Sequence, residues 1–209
     1  MTENNSQLSV AQLQEIRTAV LGAAAKAPGA LIGLGILFIV LGMIGQQLGA
    51  RYPERIYSLS LCDTASEMPP RNLWEERFEI ARKDGIPGLV DGTIKRWFTA
   101  PFIERAPQDI AKVRQMILGT GVEGYIGCAS AVRDMAQTTM LLKIKAPTLI
   151  LTGRQDPACT VDQAIVLNRM IDGSKMVILE EAAHLSNIEQ PEAFNRTVRA
   201  FIDTVDNTL

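Results

Sequence analysis

The sequence predicts an α/β fold, a partial parallel sheet of about four strands with a helical lid inserted between the second and third. Three observations lead there. Helix-like and strand-like segments alternate near both ends of the chain, and the stretch between them, from Ala65 to about Leu142, is almost wholly helical in pattern. Two short apolar runs, "APTLILTG" and "KMVILE", are each followed by a polar loop and a helix, as in a sheet buried on both faces.

Each element has its own signal. Ser9 with Gln12 forms a capping box, Leu8 and Leu13 a staple, and Leu13, Ile16, Val20 and Ala24 share one face up to Pro28, which predicts an amphipathic helix within residues 1–28. From Gly29 to Gly45, "GALIGLGILFIVLGMIG" carries no polar side chain. As a helix it would span about 25 Å, short of the roughly 30 Å of a hydrocarbon core, which counts against a membrane anchor. The segment before it holds Glu3 and Glu15 and does not read as a cleaved signal peptide. The helix closes near Arg51 before Pro53, and "IYSLSLC" follows as a strand. Pro69-Pro70, Gly85-Ile86-Pro87, Ala100-Pro101 and Gly119-Thr120-Gly121 punctuate the helical stretch. Then "PTLILTG" is a strand, Thr160 with Gln163 caps a helix to about Ile171, "KMVILE" is the last strand, and Pro191 opens a helix through Ala200. The expected organisation is an N-terminal helix over 1–28, a sheet core from 29–64 and 143–209, and a lid over 65–142.

Composition narrows the function. With 21 Lys and Arg against 23 Asp and Glu, the net charge of −2 leaves no basic stripe for nucleic acid, and neither zinc-ligand spacing nor a phosphate loop is found. No cofactor is expected. Cys62, Cys128 and Cys159 are odd in number, widely spaced and set among apolar residues, which suits buried thiols in a reducing, cytoplasmic setting rather than disulfides.

In a parallel sheet, reactive side chains gather on the loops leaving the carboxyl ends of the strands. "TGRQDPACT" presents Asp156 there, and "EEAAHLSN" presents His184, the sole histidine. An acid and then a histidine on consecutive strands match the second and third members of a hydrolase triad, in which the carboxylate orients the imidazole that takes the nucleophile's proton. Taken singly, Asp156 would read as a turn residue and His184 as a solvated loop residue.

The motifs "GMIGQQLGARYPERI", "LCDTA", "RWFT", "EGYIGCASAVRD", "PTLILTGRQDPACT" and "AAHLSNIEQPEAF" resemble the 3-oxoadipate enol-lactonases, α/β-hydrolases of bacterial protocatechuate and catechol degradation, from roughly Gly42 to the carboxyl end. The resemblance implies hydrolysis of an enol-lactone bearing an acetate arm, by serine attack through an acyl-enzyme. The family reads Gly-x-Ser-x-Gly-Gly just before "MIGQ"; here the serine position falls on Gly35 or on Ile39, according to the register, and neither bears a hydroxyl. The family's amino-terminal third, with a His-Gly oxyanion donor, is also unmatched. Ser58 and Ser60 on their strand, Ser186 turned away, and Cys128 in the lid are poor substitutes. Asp63, at a strand end, is a better outside candidate, against a plain capping role.

The acetate arm requires a cation in an apolar pocket, and Arg133 offers a bidentate fork, unless Asp134 or Glu123 pairs with it. Trp97 would line the pocket or fill the lid core. Two functions follow: an enol-lactone hydrolase impaired by the missing serine, or a non-catalytic module that binds a partner or membrane. The unpaired edge of "LIGL" predicts self-association.

Overall fold

The computed structural model describes residues 34–68 and 70–207. The predicted N-terminal helix and most of the predicted strand "LIGL" lie outside them; Leu34, its last residue, already belongs to helix α1, Leu34–Arg51. Among the described residues the sheet therefore has three strands rather than four: β1, Leu59–Cys62, β2, Thr148–Gly153, and β3, Lys175–Leu179. Strand β1 is shorter than "IYSLSLC", because Ile56, Tyr57 and Ser58 precede the ladder.

All pairing is parallel, in the order β1-β2-β3, with Leu61 opposite Ile150 and Ile150 opposite Met176. Every residue of the central strand β2 is buried. Its side chains alternate between two cores, as the period of two requires. Ile150 packs with Leu61, Ala164, Leu167 and Ile171 on one face, and Leu149 with Phe201 and Val205 on the other. Burial of each such side chain contributes about 1.5–3 kcal/mol. The flanking helices are α7, Val161–Met170, and α9, Pro191–Asp206. The predicted capping box opens α7, with the Thr160 hydroxyl accepting from the Gln163 backbone and the Gln163 side chain from the Thr160 N–H. Helix α9 runs six residues beyond Ala200, because Phe201 and Val205 still face the sheet.

Helix α1 lies directly on β1. A Cβ on Gly45 would come within 3.1 Å of Leu59, and one on Gly42 within 2.3 Å of the Thr64 side chain. Only glycine permits that approach.

Between β1 and β2 the described residues form five α-helices, α2, Arg71–Asp84; α3, Pro87–Trp97; α4, Ala100–Arg105; α5, Pro107–Leu118; and α6, Val122–Arg133, and then a 3-10 helix, Thr138–Lys143. Pro107 makes a break that the sequence pattern does not resolve, since α4 spans only six residues. Trp97, Phe98, Phe102, Ile110, Val113 and Ile117 form the core of this layer, and Leu185 from the loop after β3 is buried among them. The insertion is thereby packed onto the loop that carries His184. No described helix is long and apolar enough to cross a membrane.

Candidate active site

The ends of the three strands converge. Asp156 leaves β2, His184 leaves β3, and Asp63 follows β1 directly. The imidazole Nδ1 of His184 donates to Asp156 Oδ2 at 2.8 Å, and neither side chain is exposed. The other Asp156 oxygen accepts from the backbone N–H groups of Ala158, at 2.7 Å, and Cys159, at 2.9 Å. Both carboxylate oxygens are thus occupied, which fixes the ring orientation as a hydrolase dyad requires. Burial by itself would drive the His184 pKa down; the charge and hydrogen bond of Asp156 outweigh it and hold the imidazole well above its usual value.

The loop bearing His184 is bound from three sides. Gly153, the last residue of β2, lies so near that a Cβ on it would stand 2.3 Å from the Ala183 carbonyl oxygen. The buried Glu189 accepts from the Ala183 N–H with one oxygen, and from the Thr99 N–H at 2.9 Å and hydroxyl at 2.7 Å with the other. The Leu185 N–H donates to the Trp97 carbonyl at 3.0 Å.

Asp63 is neither exposed nor a helix cap. It adopts a left-handed backbone, φ 47°, and accepts from the Ser186 hydroxyl at 2.6 Å and the Gly153 N–H at 3.2 Å. Ser186, expected to turn away, instead points inward to this carboxylate. Burial pushes the Asp63 pKa up to about 7, against the charge of His184 and the Ser186 hydrogen bond.

Not all the thiols are buried as expected. Cys128 is exposed and Cys62 half-buried; only Cys159 is fully enclosed, in hydrogen-bonding contact with His184 and pushed by burial up to about 11. Asp156, Cys159 and His184 have ligand atoms within 4.8 Å of one another. That donor set suits a metal poorly, because both Asp156 oxygens already accept hydrogen bonds.

Beneath the helical insertion lies a cavity of about 460 Å³. Trp74, Trp97, Tyr125, Ile39, Val40 and Pro157 line much of it, and Arg77 and Arg96 bring its positive charge. The Arg96 guanidinium donates to the Thr93 hydroxyl at 3.0 Å, and that of Arg77 lies 5.0 Å over the Trp74 ring. Neither makes an ion pair among the described residues. Burial, then the charge of Arg77, lowers the Arg96 pKa to about 10.

Arg133 lies elsewhere. Its guanidinium pairs with Glu75 and Asp134 and stacks over Phe78, so the fork expected for a ligand is taken by neighbours. Asp134, rather than Glu123, is one of those partners. Trp97 does line the cavity, with its ring 6.5 Å from that of His184. Gly35 and Ile39, the two registers of the serine position, both belong to α1. Ile39 is buried in one apolar cluster with Cys159 and Trp74. His184 and Asp156 are not part of the cavity lining, whereas Ile39 and Val40 are. Ser58 and Ser60 are on or before β1, away from the cavity lining, and Cys128 borders it from α6. Sequence reading missed Arg77 and Arg96. The available signal was Arg77 one turn after the buried Trp74, and Arg96 next to Trp97.

Comparison with known proteins gives the site a context. A family profile described as TAP-like protein matches residues 120–207. The chain is 34% identical to 3-oxoadipate enol-lactonase 2 of Acinetobacter baylyi over 76% of its own length and 59% of that protein's. It superposes on the crystal structure of the enol-lactonase from Burkholderia xenovorans with TM-score 0.75 at 36% identity, covering 78% of this chain and 62% of that one. A hydrolase from Pseudomonas aeruginosa gives TM-score 0.73 at 29% identity, with 94% of this chain and 73% of the other covered. The chain spans about three fifths of the length of the curated relatives that it matches. With the parallel sheet and the acid–histidine order already in place, the likeness gives this chain the α/β-hydrolase fold and matches it, over the part that it shares with them, to the enol-lactonases.

Proposed function

We propose that this chain receives a small lactone or ester bearing a carboxylate in the cavity under its helical insertion, the ligand class being that of an enol-lactone from aromatic catabolism, and that it holds this molecule without hydrolysing it. The observation that carries the reading is the pairing of an apolar cavity with two arginines that have no carboxylate partner among the described residues. Two half-buried guanidiniums repel each other, as the lowered Arg96 pKa expresses, and an anion between them relieves that cost. Kinship to enol-lactonases supports the ligand class.

The sequence leading into α1 supports the absence of turnover. Residues 29–45 carry no hydroxyl or thiol, so no serine stands on a strained elbow at the end of a strand. Asp156 and His184 are the acid–base half of a triad, with Trp97, Arg77 and Arg96 for recognition.

Calorimetric titration of the full chain with a carboxymethyl-substituted five-membered lactone should show one-site binding, and the enol-lactone should be hydrolysed at background rate. Hydrolysis at a rate typical of enzymes, abolished by His184→Ala, would overturn the non-catalytic reading.

Association between copies is the second proposal, favoured by the exposed apolar side chains Leu41, Ile44 and Leu48 along α1.

A further inference from the structure

We propose that Asp63 is a positioning residue for His184: a second buried carboxylate that ties the histidine loop to the end of β1 and shares the imidazole's proton balance with Asp156. The inference rests on the reading of His184 as the acid–base group of the site, but it requires neither ligand nor turnover.

The geometry is that of a built support. Asp63 directly follows β1, and its backbone N–H donates to the Leu151 carbonyl at 2.8 Å, so its position is set by the sheet. One carboxylate oxygen accepts from the Gly153 N–H at the end of β2, and the other from the Ser186 hydroxyl two residues beyond His184. A single side chain thus joins all three strand ends. Asp63 and Glu181 are the non-glycine residues with left-handed backbone among those described, and Glu181 lies in the loop that carries His184. Such conformations are kept where surrounding contacts impose them.

Burying a carboxylate with two hydrogen bonds is costly unless a positive charge is near. His184 supplies that charge, and its attraction acts on Asp63. The titratable groups around the imidazole among the described residues are Asp156 and Cys159 after β2, Cys62 and Asp63 at the end of β1, and Glu189 on α8, Ser186–Glu189. Glu189 is committed to Ala183 and Thr99, and both Cys62 and Cys159 are held as thiols by burial. Asp63 is a second buried carboxyl on which the charge of His184 acts.

The chain has one histidine, so heteronuclear NMR of its imidazole reads this site alone. In the unmodified chain, the His184 resonances should show a separate inflection near pH 7 from ionisation of Asp63. Asp63→Asn keeps a side chain that tolerates the left-handed backbone and can still bond Ser186 and Gly153, but removes the charge. It should erase that inflection and lower the His184 midpoint. Ser186→Ala keeps the charge and removes one hydrogen bond to it, so the inflection should move to higher pH. A single-step titration in the unmodified chain, or a His184 midpoint unmoved by Asp63→Asn, overturns the proposal. Should the asparagine variant fold poorly, the unmodified chain and Ser186→Ala decide the matter. Lack of lactone binding would defeat the proposed function and leave this result standing.

Discussion

Gly153 and Ala183 touch across the gap between β2 and the histidine loop, so closely that a side chain on the glycine would overlap the alanine's carbonyl oxygen. Backbone, not a flexible side chain, stands in the way. Gly153→Ala should therefore cost about 1–3 kcal/mol, as overpacking does, and lower Tm by several degrees. Gly124→Ala on helix α6, where a Cβ would meet nothing within 4 Å, should be neutral or raise Tm slightly. Thermal unfolding of the two variants makes the comparison.

Ligand recognition is assigned to Arg77 and Arg96. Replacing either with Gln should weaken binding of the carboxymethyl lactone by about 10- to 100-fold, the range for a lost hydrogen bond to a charged group. Arg133→Gln should leave the Kd unchanged, because Arg133 pairs with Glu75 and Asp134 away from the cavity lining. Calorimetry on the three variants tests both statements.

Stability should depend on pH through Asp63. Its pKa is raised from 3.8 to about 7 on folding, so the folded state holds that proton more tightly. The resulting stabilisation is complete below about pH 4 and is lost as pH rises through 7. His184 acts in the same direction, since its raised pKa gives stability that is full below about 6.5 and fades at higher pH. Across the interval from 4 to 7, Tm of the unmodified chain should fall more steeply than that of Asp63→Asn. Parallel slopes from differential scanning calorimetry would contradict the assignment.

On α1, Leu41 is 54% exposed, Ile44 44% and Leu48 42%, and their spacing of three and four residues puts them on one face. The chain should associate at high concentration, and Leu41→Glu with Leu48→Glu should shift light scattering toward the monomer. A monodisperse monomer before mutation would count against the association.

The meeting of Asp156 and His184 was legible because local pattern places both residues. Asp156 and His184 each follow an apolar run whose β character is set by its own residues, and parallel strands place their carboxyl ends together. The capping box at Thr160, the helix stop at Arg51 and the helical nature of the insertion are likewise local. A strand at "LIGL" was expected from kinship to hydrolases; all of it but Leu34 lies outside the described residues, and a wholly apolar run carries no period by which to choose. Cavity composition was decided by tertiary structure. Arg77, Arg96 and Arg133 all lie on helices among charged neighbours, and which of them faces a pocket depends on how α2, α3 and α6 pack. Asp63 belongs to the same class: its sequence context allows a cap, and only the meeting of three strand ends turns it inward onto Ser186. The sequence by itself determined the sheet segments, the acid–histidine order and the missing hydroxyl, since these depend on residue type and short-range spacing. The tertiary structure decided which charges were paired, buried or left free, because Coulomb and desolvation energies depend on distances between residues far apart in the chain.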